Sequence, residues 1–374
     1  MSANKTHLGF VFLEVFSWEG GIQSYIKDVL TAYLGQPAAP PADIFVLRDG
    51  RNSENPFAGD KLTFHNLASS NAMVGRLRLT AGLTKNLVAQ RYHHVICGHI
   101  LLAQLVGPLC RSLGVPYTVM VYGKEVWSPV PPRQRRALQQ ATGIWANSRH
   151  SRDVACAAND LDPTRFHMLP CIVNGDVFTP GEKSTRLIEQ YGLHDSRILM
   201  TVARLWPGDI YKGVDVTIRA LPEILQVFPD VKYLVIGRGD DQPRLAQLAQ
   251  DMGVGDRVVF AGFVPDEDLV DHYRLADAYV MPSKEGFGIV YLEAMACGVP
   301  VLSGDNDGSA DPLQDGRVGW RVPHRDPQAV AQACIEILKG EDMRCQGAWL
   351  REQTLAHFSP ASLQKEVGRL LSTF

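Results

Sequence analysis

Ten mostly apolar runs without polar alternation limit what this chain can fold into. In the first half they are "HLGFVFLEV" (7–15), "DIFVL" (43–47), "HVICG" (94–98), "PYTVMVYG" (116–123) and "GIWANS" (143–148). In the second they are "RILMTVARL" (197–205), "VKYLVIG" (231–237), "RVVFAG" (257–262), "AYVMPS" (278–283) and "VPVLSG" (299–304). A strand with one wet face alternates; a continuous apolar run is covered on both faces, as in a parallel sheet. Helical patterns separate several of the runs. Ile22, Tyr25, Ile26, Val29 and Leu30 keep the i, i+3, i+4, i+7, i+8 spacing of one helix face. Further helices are predicted over 101–113, where Pro108 is expected to kink or break the chain, and over 243–252 and 286–297. Strands alternating with helices predict an α/β fold of doubly wound sheets, whose ligands sit beyond the carboxyl ends of the strands.

A chain of 374 residues is too long for one ordinary core and predicts two domains facing a central cleft. Gly, Pro and polar residues cluster in "IVNGDVFTPGEKS" (172–184) and mark the boundary. The domains are read as 1–175 and 176–354. The tail 355–374 is read as an amphipathic helix carrying Leu363, Val367, Leu370 and Leu371, expected to pack back on the first domain. A net charge of −3 gives no reason to expect nucleic acid as a partner. Seven cysteines without a CxxC indicate neither a disulfide framework nor a zinc ribbon. The leading "MSANKTHLGFVFLEVF" is expected to form the first strand, not a signal peptide, and no apolar window is long enough to span a membrane. A cytoplasmic setting is the expectation.

Four motifs fall at strand ends. Gly20 and Gly21 follow the first strand and open a helix, where missing side chains would let a phosphate reach backbone N–H groups. In "ARLWPGDIYKG" (203–213), Arg204 and Lys212 could clamp a diphosphate and neutralise a leaving group; as two solvated surface charges they would do nothing. In "IGRGDDQPRL" (236–245), Gly237 and Gly239 form a turn suited to close approach by a base or ribose. The most informative is "SKEGFGIVYLEAMACGVPVL" (283–302). Glu285 precedes a helix that begins around Gly286, Phe287 and Gly288; Glu293 lies one to two turns in. Carboxylates accept directional hydrogen bonds from sugar hydroxyls. A helix-start charge for Glu285 and a solvated helix residue for Glu293 are the bland alternatives.

The spacing Glu285-(seven residues)-Glu293 in "EGFGIVYLEAMACGVPV" resembles the signature of retaining glycosyltransferases of the GT-B fold, family four. The resemblance extends to Gly20-Gly21, Arg204 and Lys212, "NGDVFTP" (174–180), "GRGD" (237–240) and "AGFVPDEDL" (261–269), in the expected order. It implies two Rossmann-like domains, a nucleotide-sugar donor held mostly by the second and an acceptor held mostly by the first. It assigns Gly20 and Gly21 to the donor phosphates and Arg204 and Lys212 to the diphosphate clamp. Glu285 would contact the donor sugar's hydroxyls and Glu293 the ribose. The amides of Phe287, Gly288 and Ile289 would face sugar or phosphates, with Gly286 beside them. Gly237, Arg238 and Val264 would lie near the base.

One departure stands out. In "VMVYGKEVW" (119–127), Tyr122 occupies the place where many relatives carry a histidine, with Glu125 close behind. His99, ending "VICGH", is the nearest candidate imidazole. Trp18, Tyr122 and Glu125 are read as acceptor contacts, with Trp127 as ordinary packing. Arg76, Arg78, Lys85, Arg91, Arg133, Arg135 and Arg136 would form either a solvated surface or a face for a lipid-linked acceptor at an anionic bilayer. The donor is expected to be a UDP-sugar, with a GDP-sugar second, and the acceptor a glycan or lipid-linked saccharide. No metal or other cofactor is expected, because the basic clamp does the cation's work; the acids of "DND" (305–307) and "DED" (266–268) are read as loop and helix-start acids. The competing readings are a sugar-nucleotide epimerase of the same fold and a non-catalytic sugar-nucleotide-binding protein. Glu285→Ala separates them, since only an enzyme loses turnover.

Overall fold

The computed structural model describes residues 7–18, 20–50, 53–57 and 59–374. They divide into two compact units, one running to Ile172 and including Pro360–Phe374, the other spanning Val173–Ser359. Each is a parallel sheet flanked by helices.

The first unit contains β1 (His7–Phe12), β2 (Ala42–Val46), β3 (Leu62–Asn66), β4 (Tyr92–Cys97), β5 (Tyr117–Val121), β6 (Gly143–Ala146) and β7 (Phe166–Met168). Among the described residues they form a seven-stranded sheet in the order β3-β2-β1-β4-β5-β6-β7. Every residue of β2 and β5 is buried, as the continuous apolar runs require. Helix α1 (Gly21–Leu34) buries Tyr25, Ile26, Val29 and Leu30. Helix α2 (Ala72–Val88) and helix α3 (Ile100–Ser112) bury Leu79, Leu83, Ala103 and Val106 together in one core. Pro108 does not break α3, which runs through it.

The second unit contains β8 (Arg197–Val202), β9 (Val231–Ile236), β10 (Val258–Gly262), β11 (Ala278–Met281), β12 (Val301–Gly304) and β13 (Trp320–Val322). They form a parallel six-stranded sheet among the described residues, ordered β10-β9-β8-β11-β12-β13. In each sheet the chain builds outward on one side of its first strand and then returns to build on the other. That reversal lies between β1 and β4 in the first unit and between β8 and β11 in the second. Loops leaving the carboxyl ends of such strand pairs frame a crevice.

The C-terminal segment is two helices, not one. Gly347–Phe358 belongs to the second unit, and Pro360–Leu371 to the first, packed on α1. The second helix starts at Pro360, where a missing N–H costs nothing. It buries Leu363, Val367 and Leu370, and the Gln364 side chain donates to the Gly35 carbonyl at 2.7 Å.

Candidate active site

The loop after β8 is a six-residue 3₁₀ turn, Pro207–Lys212, followed by Gly213 and the helix Val214–Val227. Gly213 has φ +78°, and a Cβ there would lie 2.6 Å from the Pro282 carbonyl oxygen. Only glycine lets this turn press against the loop that leaves β11. The approach puts Lys212 Nζ 2.5 Å from Glu285 Oε1, with both side chains largely buried. Thus the two residues singled out from separate motifs meet at the sheet's reversal point. Burial disfavours the Lys212 charge, but the Glu285 carboxylate, with Tyr211 and Asp209, more than offsets it and raises the pKa. The ammonium keeps two further N–H donors for an anion. Arg204, exposed on the loop leading into this turn, pairs with Asp209 at 3.1 Å.

Two contacts that the sequence did not reveal hold this geometry. The buried Asp215, at the start of the helix, receives both arms of Arg325 at 2.7 and 2.5 Å, and the same guanidinium donates to the Ile210 carbonyl at 3.2 Å. Arg325 therefore ties the turn that carries Lys212 to the helix behind it. Asp307 accepts the Glu285 N–H at 2.6 Å and the Ser309 N–H at 2.9 Å, while the Gly308 N–H donates to the Glu285 carbonyl at 2.8 Å. Burial pushes Asp307 up to about 6, against those hydrogen bonds. The "DGS" at 307–309 is an Asx-type turn signature that could have been read from sequence. No sequence signal links Asp215 to Arg325. Replacing Arg325 by alanine is expected to raise the donor KM and lower kcat together, and to destabilise the second unit by about 1–3 kcal/mol through the orphaned Asp215. Arg325→Lys is expected to fall between, because it cannot make the two-pronged contact. Donor saturation kinetics and denaturant unfolding measure both.

The helix after Glu285 starts later than expected, at Ile289, with Gly288 at its N-cap in the left-handed region. It has no side-chain cap and no acid in its first turn, so its leading N–H groups remain available for an anion. Phe287 is buried edge-on against Phe358 and anchors the loop. Glu293, on this helix, is partly buried and accepts the Tyr273 hydroxyl at 2.6 Å. Burial pushes its carboxyl up to about 7, in spite of that hydrogen bond and helped by Asp266. Because the folded pKa exceeds the unfolded one, this group favours the folded state at low pH. Its contribution is lost as pH rises from about 4.5 to about 7. Glu293→Gln is expected to flatten that part of the stability–pH curve, measured by unfolding across pH 4 to 8.

Gly237 and Gly239 require a correction. A Cβ at Gly237 would stand 1.8 Å from the Ala203 carbonyl oxygen, and one at Gly239 would stand 2.0 Å from that of Leu205. The close approach is to the chain's own backbone and not to a ligand. Next to them Arg238 lies over the exposed Phe263 ring, 4.7 Å from its centre, with Val264 buried behind. That is a flat cation–aromatic surface.

In the first unit, Gly20 is the N-cap of α1 and makes no side-chain cap, and a Cβ at Gly21 would meet nothing within 4 Å. The backbone there is open at an uncapped helix start. The preceding loop is held by the buried Asp49, which accepts N–H groups of Val15, Phe16 and Ser17 at 2.8–3.1 Å. Trp18 stands exposed beside it. His99 is the N-cap of α3, and its Nδ1 accepts the Leu101 N–H at 3.1 Å. Burial, with Arg48 nearby, pushes its pKa down to about 4. With Nδ1 accepting, the neutral ring carries its proton on Nε2. His99, the candidate imidazole, is thus a hydrogen-bond donor at neutral pH. Tyr122 also departs from expectation. It is buried, its hydroxyl donates to the Gly98 carbonyl at 2.6 Å, and its ring packs edge-on against Tyr25. Its N–H donates to Glu125 at 2.5 Å, so Glu125 braces the loop. Neither the Tyr122 hydroxyl nor its ring face is offered to a ligand. Trp127 packs against the core, edge-on to His150.

The pattern that defines the family described as Glycosyl transferases group 1 matches residues 196–340, the span that holds Arg204, Lys212, Glu285 and Glu293. The chain belongs to that family. Along 63% of its length it is 36% identical to the GDP-mannose-dependent α-(1-6)-phosphatidylinositol monomannoside mannosyltransferase of Mycolicibacterium smegmatis, over 64% of that protein. To the enzyme of the same name from Mycobacterium tuberculosis it is 28% identical across 94% of both chains. It is 33% identical to the D-inositol 3-phosphate glycosyltransferase of Acidothermus cellulolyticus over 66% of this chain and 60% of that one. Among solved structures, Anabaena HepE in complex with UDP superposes with a TM-score of 0.78 at 18% identity, covering 98% of this chain and 100% of that one. Sucrose-phosphate synthase of Thermosynechococcus elongatus gives 0.76 at 20% identity and covers 98% of each chain. These likenesses establish the GT-B fold of the two units. Among the described residues no helix is long and apolar enough to cross a membrane.

Proposed function

We propose that this group 1 glycosyltransferase moves a mannosyl residue from GDP-mannose to a glycolipid acceptor of the phosphatidylinositol class, at the inner face of a membrane. The observation that carries the reaction type is the Lys212–Glu285 pair, a cation and an acid joined at 2.5 Å in front of an uncapped helix start. A diphosphate needs the first, and a sugar's hydroxyls need the second. The relatives' names supply the substrates and reverse the order of donors expected from sequence, putting GDP before UDP.

In this reading Lys212 and Arg204 take the diphosphate, and the amides beyond Gly288 face the same charge. Glu285 grips sugar hydroxyls, Glu293 the ribose, and the Arg238–Phe263 surface stacks on the base. The bond from the anomeric carbon to the phosphate oxygen breaks as charge grows on that oxygen. Fixed cations and helix amides stabilise it without reorganising. The acceptor oxygen bonds to the same face of the carbon, and its proton passes to the departing phosphate, so configuration is retained. On the acceptor side the His99 Nε2–H donates to a hydroxyl, and the first unit binds the acceptor. No metal is needed: Lys212 and Arg204 provide the positive charge, and Asp307 is already committed to backbone N–H groups.

The test is incubation with radiolabelled GDP-mannose and phosphatidylinositol in mixed micelles containing EDTA. The expected product is a labelled lipid whose new linkage is α by NMR. Equal transfer from UDP-glucose would overturn the donor assignment. Activity lost in EDTA and restored by Mn²⁺ would overturn the metal-free mechanism. A β linkage would overturn retention.

A further inference from the structure

A cavity of about 460 Å³ lies in the first unit. It sits beyond the carboxyl ends of β1, β2 and β3, between α2 and α3. Leu13, Leu47, Leu79, Leu102 and Leu105 line it, and so do Arg48, Arg76 and Arg133. Its volume falls within the roughly 300–1,000 Å³ of small-molecule sites. A helix with side chains, about 10–12 Å across with a 5.4 Å pitch, would fit for only about one turn, so a bound peptide helix is a poor match.

The charges are the unusual feature. Among the described residues neither Arg76 nor Arg133 has an acidic partner, and Arg48 has only Glu14, at 3.5 Å. Guanidiniums gathered beside leucines repel one another unless an anion joins them, and they match phosphate oxygens in pairs. The outer surface nearby is also apolar: α2 exposes Met73 and Leu77 next to Arg76, and α3 exposes Leu101. Ala72, Gly75, Arg76 and Leu79 recur at helical spacing, so one face of α2 presents both the wall and a cation. The cavity ends next to the machinery already described, because Leu101 and Leu102 directly follow the cap residue His99.

We infer that this groove binds one anionic phospholipid-type acceptor, with apolar chain against the leucines and phosphate on Arg48, Arg76 and Arg133. The site would select acceptors that carry both a phosphate and an alkyl chain, and it deepens the acceptor half of the proposed function, on which it rests. It is a pocket for a single molecule, distinct from general attraction of a basic surface to a bilayer.

The experiment is calorimetric titration of the full chain with dihexanoyl phosphatidylinositol as a soluble monomer. Inositol 1-phosphate and dihexanoyl phosphatidylcholine are titrated in parallel, and GDP is titrated into every sample. The short-chain acidic lipid is expected to bind at least tenfold tighter than either control. In Arg76→Gln/Arg133→Gln its affinity is expected to fall at least tenfold, and Leu105→Glu is expected to abolish it, with GDP binding kept in both. Equal binding of inositol 1-phosphate, equal binding of the choline lipid, or an unchanged affinity in the double arginine variant would each overturn the groove. So would binding to acidic vesicles without binding to the monomer. If those results come with normal GDP binding, the transfer reading survives; if the wild-type chain binds no nucleotide, that reading fails on its own.

Discussion

Glu285→Ala is expected to cut kcat by about 10²–10³, the usual cost of removing one preorganised contact to a transition state, while leaving GDP binding intact or slightly tighter. The second half of that expectation follows from the 2.5 Å pair with Lys212. In the proposed reading Glu285 holds the sugar, which GDP lacks. In that reading it also competes with the diphosphate for the same ammonium, so its removal is expected to free a cation for the nucleotide. The cost appears in stability instead. Lys212 is largely buried, and without its partner it keeps a charge that burial disfavours. A loss of about 1–3 kcal/mol is expected for the orphaned group, which in a domain of this size lowers Tm by roughly 2–4 °C per kcal/mol. Turnover measured at saturating donor, GDP titration and a thermal melt give the three readings. A variant that kept full turnover would remove Glu285 from the chemistry.

Lys212→Ala is expected to act on the other side of the pair. If Lys212 takes the leaving diphosphate as proposed, loss of this cation removes charge from where it develops, and kcat/KM for the donor is expected to fall by about 10²–10³. GDP affinity falls with it, by at least about tenfold, or 1.4 kcal/mol. The two changes are expected to be strongly non-additive. Once Lys212 is gone, Glu285 has no ammonium to hold, and the double variant is expected to be no less stable than the worse single one. A coupling of about 0.5–3 kcal/mol is typical for groups in direct contact. Lys212→Arg keeps the charge but brings a planar fork to a point-charge site, so partial activity is expected. Denaturant unfolding of the four proteins closes this cycle; additive stabilities would mean that the pair is not formed in solution.

The physics of burial explains what the sequence could and could not reveal. Continuous apolar runs marked the central strands, because those are covered on both faces. The strands left unrecognised, "LTFHN" of β3, "FHM" of β7 and "WRV" of β13, all lie at sheet edges. An edge strand pairs on one side only and can carry polar residues, so its pattern resembles a loop. Lys212 and Glu285 were each legible as strand-end residues, and the reversal rule for doubly wound sheets gave a reason for them to meet. Their supports were not legible. Arg325 finds Asp215 across 110 residues, and Tyr273 finds Glu293 from a neighbouring helix. Such partners follow from packing, not from local pattern. Tyr122 failed as a candidate for the same reason: an aromatic at a strand end can face a ligand or the core, and here the Gly98 carbonyl and Tyr25 take it inward. Gly237 was legible as a special backbone position, but the intruding atom is the carbonyl of Ala203.

The central claim is that Lys212 holds the second phosphate of the nucleotide, and comparing GDP with GMP isolates that phosphate. Calorimetric titration of both nucleotides into the wild-type chain and Lys212→Ala tests it directly. The wild type is expected to prefer GDP over GMP by about tenfold or more, equivalent to at least 1.4 kcal/mol, and the variant is expected to lose most of that preference. A preference for GDP that survives undiminished in Lys212→Ala would contradict the account.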